Sequence, residues 1–170
     1  MDDRQKEFLN DAFLSLTVMS TLRRSKIYRD GTIDSHRAKF RAALRNNLAE
    51  VVQHYTTEVD DNRHVENIAS LADDLSEGFG SILKDGRFRV GSAQKAVNLY
   101  LKYLWCTEQI RMPPHCPFDS IIISKLPDCS DLNWTELDTV KDYERLVKAA
   151  RAKAGNIPLA RWELETYTSG

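Results

Sequence analysis

The chain is poor in the residues that build disulfide-rich or metal-stapled domains. It contains three cysteines in 170 residues, Cys106, Cys116 and Cys129. An odd number without framework spacing predicts reduced thiols rather than disulfides. A structural metal held by these cysteines and His115 is disfavoured, because His115 adjoins Cys116 and no CxxC pair is present. We therefore expect neither a metal nor a cofactor.

Long apolar runs and strand-like alternation are also missing. No apolar stretch approaches the ~20 residues that span a bilayer, and the N-terminal MDDRQKEF is acidic and polar where a signal peptide is basic and then apolar. We expect no membrane partner and a cytoplasmic protein. With 42% apolar and 29% charged residues, the composition is typical of one globular domain. Because no segment alternates as a strand does, the predicted fold is all-α, a compact monomeric domain over residues 1–170.

The net charge of −1 conceals an uneven distribution. Acidic residues concentrate over residues 58–77. Nucleic-acid binding depends on where basic groups cluster, so a basic face is possible without a basic isoelectric point. Solvated helix faces are the alternative interpretation. The basic groups fall into three clusters: Arg37, Lys39, Arg41 and Arg45; Lys84, Arg87, Arg89, Lys95 and Lys102; and Arg145, Lys148, Arg151 and Lys153.

Apolar residues at helical spacing predict the helices. In the first helix, an amphipathic stripe is predicted from Phe8, Ala12, Leu16 and Met19, with Leu9, Phe13 and Val18 beside them. Asp34 or Ser35 is expected to cap the second helix, and Asn133 or Thr135 a later one. The tail after Tyr167 is expected to fray. The predicted helices cover about residues 4–22, 34–55, 64–83, 92–106, 119–126, 133–153 and 159–167.

Residues 87–92, Arg-Phe-Arg-Val-Gly-Ser, interrupt the helical period between two apolar helices. This break predicts a tight helical hairpin in which Gly91 allows a close turn. Backbone N–H groups at the start of the next helix favour an anion. We therefore expect Val90, Gly91 and Ser92, flanked by Arg87 and Arg89, to contact DNA phosphates. The alternative is an ordinary glycine-containing connection with exposed arginines.

Lys95 lies about one turn into an otherwise apolar and aromatic helix. A lysine near a helix N-terminus, among other cations and away from water, has its ammonium form disfavoured, as a Schiff-base nucleophile requires. A surface lysine or a phosphate contact is the simpler interpretation. Lys102, two turns later on nearly the same face, is the rival nucleophile and a candidate DNA contact.

Asp119 follows three prolines within five residues, Pro113, Pro114 and Pro117. Pro117 fixes the entry to a helix that is rich in isoleucine. From position alone, Asp119 is predicted to be the N-cap of that helix. A catalytic role is compatible with the cap.

The residues from 84 to 126 resemble the helix-hairpin-helix DNA glycosylases of the 8-oxoguanine type, and look closest to their small archaeal and bacterial branch. In that family a Val-Gly-x-Lys hairpin end is followed by an apolar helix and a Pro-x-Asp helix start. Here Val90-Gly91-Ser-Ala-Gln-Lys95 is followed by such a helix and by Cys116-Pro117-Phe118-Asp119. The usual Gly-x-Gly is reduced to Gly91, two further residues precede Lys95, and the interval to Asp119 is somewhat long.

The resemblance implies excision of a modified base from double-stranded DNA, in repair or in defence against phage with modified DNA. Lys95 would attack the sugar carbon, Asp119 would assist, and a Schiff base would allow strand cleavage. The nucleotide must flip into a pocket with faces on which the base can stack. The candidates for that pocket, each of which can equally belong to the core, are Tyr100, Trp105, His115, Phe118 and Trp134.

A helical module that binds nucleic acid or protein without catalysis is the alternative. It uses the same apolar stripes as core, Lys95 as a surface charge and Asp119 as a cap, and it predicts no cleft that joins the two. A helical ribonuclease-like or toxin-related domain is a third class. Its Arg-x4-His spacing is not supplied by the histidines at His36 and His64.

Overall fold

The computed structural model describes residues 1–168 and is all-α, as predicted. Most of the tail that was expected to fray, Ser169 and Gly170, lies outside the described residues. Within residues 1–168 the extended segments form only one isolated bridge, between Tyr28 and Leu83, and no helix there combines the length and apolarity needed to cross a bilayer. The helices are α1 (Asp3–Ser25), α2 (Asp34–Val51), α3 (Asp61–Phe79), α4 (Val90–Cys106), α5 (Ser120–Ile123), α6 (Val140–Ala154) and α7 (Leu159–Thr168).

Helix α4 is the centre of the molecule. It packs against α1, α2, α3 and α6, and every residue from 90 to 101 is buried. A helix that is apolar on nearly all sides is stable only inside a protein, which explains this position. Its few polar side chains, among them Gln94, Lys95 and Asn98, are therefore inside the fold as well.

A buried hydrogen-bond network ties α3, α4 and α6 to the loop before α5. His64 Nε2 lies 2.8 Å from Asn98 Oδ1, and Asn98 Nδ2 donates to the Tyr143 hydroxyl at 3.2 Å. The same hydroxyl lies 2.7 Å from His115 Nδ1, and His115 Nε2 lies 3.1 Å from Asp61 Oδ1. Burial lowers the pKa of His64 to about 3 and that of His115 to about 4. Both imidazoles are therefore neutral, and paired polar groups can be buried there without a large penalty.

The predicted stripe of α1 is wrong for three of its residues, since Phe8, Leu16 and Met19 are 73%, 42% and 54% exposed. Of the residues predicted beside it, Val18 is buried and Phe13 packs against the core. The buried residues of α1 are Thr17, Val18 and Thr21. Phe13 lies on the same face as Thr17 and Thr21 and stacks on Tyr103 of α4 with ring centroids 5.1 Å apart.

The predicted ends of α2 and α3 shift by a few residues. Helix α2 ends at Val51 and continues as a 3₁₀ turn, Val52–Thr56, and it starts after Ile33 without a side-chain cap, so neither Asp34 nor Ser35 has that role. Helix α3 begins earlier than predicted because the Asp60 side chain accepts a hydrogen bond from the Arg63 N–H. The predicted core residues of α2 are confirmed, since Phe40, Leu44 and Leu48 are buried.

Helix α6 starts later than predicted. Asn133 Oδ1 accepts from both the N–H and the hydroxyl of Thr135 at 3.1 and 3.0 Å, which closes a local turn instead of starting a helix. The N-cap is Thr139, whose hydroxyl accepts from the Asp142 N–H at 3.1 Å. Residues 133–139 are therefore free to pack as a turn against the start of α4.

Candidate functional site

Lys95 and Asp119 form an ion pair in one cleft. Lys95 Nζ donates to Asp119 Oδ2 at 3.0 Å, and the two side chains are 10% and 20% exposed. The other carboxylate oxygen, Oδ1, accepts from the N–H groups of Ile121 and Ile122 at 3.1 Å each. The predicted N-cap is thus confirmed, and it fixes the orientation of the carboxylate toward Lys95.

The side chain of Gln94 on α4 fixes the position of the loop that carries Asp119. Gln94 Nε2 donates to the Phe118 carbonyl at 2.7 Å, and Gln94 Oε1 accepts from the Phe118 N–H at 3.1 Å. Gln94 precedes Lys95 and Phe118 precedes Asp119, so this paired contact holds the Lys95 and Asp119 side chains at a fixed separation. His115 anchors the other end of the loop through the buried network.

The cleft extends from Lys95 and Asp119 in two directions, which we name by the helices that wall them. The α7 lobe has a volume of about 370 Å³, and its floor is one stripe of α4. The wall opposite this floor comes from α7. Besides Lys95, Asp119 and the neighbouring Ser20, Pro117 and Tyr167, the α7 lobe is lined by Leu99, Lys102, Tyr103, Cys106, Glu163 and Leu164.

The α1 lobe is smaller, about 220 Å³, and cationic. It shares Lys95, Asp119, Ser20 and Tyr167 with the α7 lobe and adds Arg23, Arg24, Ile121 and Trp134. The Lys95 ammonium lies 6.0 Å from the centroid of the Trp134 ring, within reach of a cation–π attraction. Two arginines from the last turn of α1 thus stand beside the ion pair.

A third depression, the basic cleft, continues from the α1 lobe through the shared Arg24. It has a volume of about 350 Å³. Among residues 1–168, no carboxylate lies within ion-pair distance of Arg24, Lys26 or Lys84. The basic cleft is lined by Arg24, Ser25, Lys26, Ile27, Lys84, Arg87, Arg89, Ser92, Thr135 and Glu136.

Arg87 and Arg89 lie in the basic cleft but are partly neutralised. Arg87 pairs with Asp138 at 3.0 Å, and Arg89 pairs with Asp85 at 2.7 Å and with Asp138 at 3.8 Å. The cations of this cleft that have no such partner come from elsewhere, chiefly from the end of α1. Sequence analysis missed Arg23 and Arg24, because basic residues in a last turn are usual at any helix C-terminus.

The prediction that the hairpin exposes its backbone N–H groups is wrong. Residues 80–89 connect α3 to α4 through a 3₁₀ turn, Lys84–Gly86, and α4 starts at Val90. Val90, Gly91 and Ser92 are all buried. The Gly91 N–H donates to the Leu137 carbonyl at 2.8 Å, so it has no free donor for a phosphate. The turn of residues 133–139 covers the helix start that was expected to face DNA.

The structure assigns most of the predicted base-pocket residues to the core. Tyr100, His115 and Phe118 are 3%, 1% and 0% exposed and line neither lobe. Trp105 also lies outside both lobes, with the Arg161 guanidinium 5.9 Å from its ring. Trp134 does line the α1 lobe.

The aromatic residues that line the α7 lobe, Tyr103 and Tyr167, were not predicted. Tyr103 belongs to the α4 stripe that begins at Lys95 and continues through Leu99 to Lys102, so the helical period contained that signal. Nothing in the sequence distinguished Tyr167 or Glu163 from the rest of the last helix.

Lys102 lies in the α7 lobe and is paired with Glu163. Its Nζ is 3.0 Å from Glu163 Oε1 and 2.8 Å from Oε2. Burial raises the pKa of the Glu163 carboxyl, although the nearby ammonium opposes this shift. Lys102 therefore faces the same cleft as Lys95 but is held by a different carboxylate, further from Asp119 along α4.

No family model, curated protein or solved structure is significantly similar to this chain. Membership of the helix-hairpin-helix glycosylases therefore stays a prediction. The functional argument that follows depends on the residues of the cleft and their geometry.

Proposed function

We propose that this protein is a DNA glycosylase that removes a modified base with Lys95 as nucleophile and Asp119 as its assisting carboxylate. The observation that carries the proposal is the 3.0 Å contact between Lys95 Nζ and Asp119 Oδ2 within a cleft that opens into a cationic depression. An amine beside a carboxylate, shielded from most solvent, is the arrangement that covalent catalysis at a sugar carbon requires.

The chemistry balances with these two groups and water. Asp119 takes a proton from the Lys95 ammonium, and the freed amine forms a bond to C1′ as the bond from C1′ to the base breaks. The electron pair leaves with the base, which is then protonated from Asp119. The carboxylate that this step restores stabilises the positive charge on the sugar–lysine adduct. Asp119 then carries a proton from the adduct nitrogen to the ring oxygen, so that the sugar ring opens to a Schiff base, and water releases Lys95 and an abasic sugar.

The cationic residues give the DNA backbone a path to this cleft. Arg23 and Arg24 lie beside the ion pair, and Lys26 and Lys84 extend the positive surface through the basic cleft. Phosphate contacts of this kind position a duplex without reading its sequence. Since a stacked base hides its glycosidic bond, the target nucleotide flips out of the helix and enters the cleft.

Borohydride trapping tests the proposal directly. The protein is incubated with duplexes that carry oxidised, alkylated or hydroxymethylated bases or an abasic site, and reduction then fixes any Schiff base as a covalent adduct. We expect an adduct with the parent and with Lys141→Gln, a change at an exposed α6 lysine, and none with Lys95→Gln. Absence of both base release and adduct across the set would remove the proposal.

A non-enzymatic interaction module is the second candidate, favoured by the exposed apolar residues of α1, Phe8, Leu16 and Met19. Such a face is typical of a helix that binds a partner. The joined cleft of Lys95 and Asp119 is not expected of that class and supports the enzyme instead. DNA binding without any base release would favour the module.

A further inference from the structure

Lys102 and Glu163 form a buried ion pair, and a contribution to stability does not explain its presence. The two side chains are 15% and 4% exposed and face the α7 lobe. Removing two charges from water costs about as much free energy as their attraction regains. A protein in which apolar side chains replace such a pair is often as stable as the parent. Both Glu163 oxygens lie within 3.0 Å of the Lys102 ammonium, at 3.0 Å and 2.8 Å, and both residues line the α7 lobe. The lobe therefore presents a paired carboxylate and ammonium side by side.

The surroundings of the pair suit a flat ligand. The Lys102 ammonium lies 4.8 Å from the centroid of the Tyr167 ring. Tyr103 forms part of the α4 floor with Leu99, and its stack on Phe13 holds its ring in place. Apolar and aromatic walls around a few placed polar groups are the usual features of a site for a small heterocycle.

The order of groups along the cleft matches the order of parts in a nucleotide. Arg23 and Arg24 lie at one end, Lys95 and Asp119 in the middle, and Lys102 with Glu163 at the other end. Lys95 and Lys102 are separated by about 10.5 Å of helix rise. A phosphate held at the arginines and a sugar at Lys95 direct the attached base toward Lys102.

We propose that Lys102 and Glu163 bind the edge of the flipped base, an inference that rests on the glycosylase function proposed above. A carboxylate only accepts hydrogen bonds and an ammonium only donates them. The pair therefore complements an edge with an N–H or amino donor beside an acceptor, as the Watson–Crick edge of each standard base provides. The substrate class is thus a base whose Watson–Crick edge is intact and whose modification lies elsewhere, at C5 of a pyrimidine or on the C8 side of a purine.

The test separates base recognition from the chemical step by using an abasic site, which has no base to recognise. Excision is measured on duplexes with 8-oxoguanine, 5-hydroxyuracil or 5-hydroxymethylcytosine, whose edges are intact, and with O6-methylguanine or 1-methyladenine, whose edges are altered. Borohydride trapping is measured on the abasic duplex. The variants are Glu163→Gln, Lys102→Met and the double change Lys102→Met with Glu163→Leu, which keeps the site filled by apolar groups. Glu144→Gln and Lys141→Met, at exposed positions of α6, serve as controls.

We expect the parent and the controls to excise one or more of the intact-edge bases in preference to the altered ones. Each variant of the pair should lose about tenfold or more in excision, the usual value of a paired contact to a base edge. Trapping on the abasic duplex should stay within about twofold of the parent. Retained trapping also shows that the variants are folded.

Each other result counts against the inference in a distinct way. Undiminished excision by the pair variants shows that the pair does not bind the base. Loss of abasic trapping together with excision shows that the pair supports the structure or the chemical step instead. Preference for altered edges contradicts the substrate class. If the parent neither excises nor traps, the glycosylase proposal fails, and this inference fails with it.

Discussion

The carbonyl oxygen of Trp134 occupies the space where a side chain on residue 91 would begin. A Cβ atom built on Gly91 would lie 1.8 Å from that oxygen and 2.8 Å from its carbonyl carbon. Because both contacts are to backbone, no side-chain rotation can relieve them. Gly91 is therefore required for the turn of residues 133–139 to close over the start of α4, the turn that also presents Trp134 to the cleft.

Gly91→Ala is accordingly expected to destabilise the protein by about 1–3 kcal/mol or more, as overpacking at a rigid site does. Gly78→Ala, on α3, is the matched control, since a Cβ there meets nothing within 4 Å. It should be neutral or stabilising by up to about 1 kcal/mol, because glycine inside a helix is unfavourable. Urea unfolding of both variants measures the difference, and equal stabilities would show that the contact with Trp134 is relieved by backbone movement.

Gln94→Leu should weaken both the fold and the site. It leaves the buried N–H and carbonyl of Phe118 without partners, and each such loss costs about 1–3 kcal/mol. The loop before Asp119 also loses its register against Lys95. We expect a lower melting temperature and slower trapping on abasic DNA at temperatures where the variant remains folded. Normal trapping by a destabilised but folded variant would assign Gln94 a purely structural role.

Asp119→Asn and Lys95→Gln should differ in pattern. The asparagine keeps an oxygen for the N–H groups of Ile121 and Ile122 but loses the charge, so base release should nearly cease in a folded protein. Lys95→Gln should abolish trapping and leave some hydrolytic base release, since water can replace the amine while the carboxylate remains. Single-turnover base release and trapping are measured side by side. Trapping by Lys95→Gln together with its loss in Lys102→Gln would move the nucleophile to Lys102.

Charge reversal in the basic cleft should weaken DNA binding and flatten its salt dependence. Arg24→Glu and Lys84→Glu remove cations that have no carboxylate partner among residues 1–168, so each should reduce the slope of log K against log salt by about 1. Lys141→Glu, at an exposed lysine outside the three depressions, is the control. Fluorescence anisotropy at several salt concentrations gives the slopes, and unchanged slopes would exclude this path.

The buried histidines predict loss of stability in acid. His64 and His115 have pKa values of about 3 and about 4 in the folded protein, below the ordinary value of 6.5. Between pH 6.5 and about 4 the unfolded chain therefore binds protons that the folded protein cannot, and stability falls as pH falls. Each histidine contributes a slope of up to about 1.4 kcal/mol per pH unit. Thermal melts over this range should show the decline, and a melting temperature that stays constant would contradict the neutral, buried assignment.

Local signals in the sequence were sufficient for much of the fold and for the two central residues of the site. The apolar residues of α4 predicted a buried helix, and the position of Asp119 after the prolines predicted a helix N-cap. Both predictions are confirmed, although α5 ends at Ile123 instead of about residue 126. Three residues of the predicted α1 stripe are exposed instead, because the choice between that stripe and the apolar residues beside it depends on the shape of α4. The partners of Lys102 and Gly91, which are Glu163 and Trp134, are distant in sequence, so no spacing rule could identify them.

The position of Glu163 and Tyr167 on the last helix bears on how the protein should be handled. Tyr167 lines both lobes of the cleft, so a group attached to the last turn of α7 would lie beside it. The opposite end offers more room, because α1 enters the cleft only through Ser20 and the arginines that follow, about 30 Å along the helix from its first residue. Affinity tags and immobilisation linkers for the DNA experiments therefore belong at the first turn of α1.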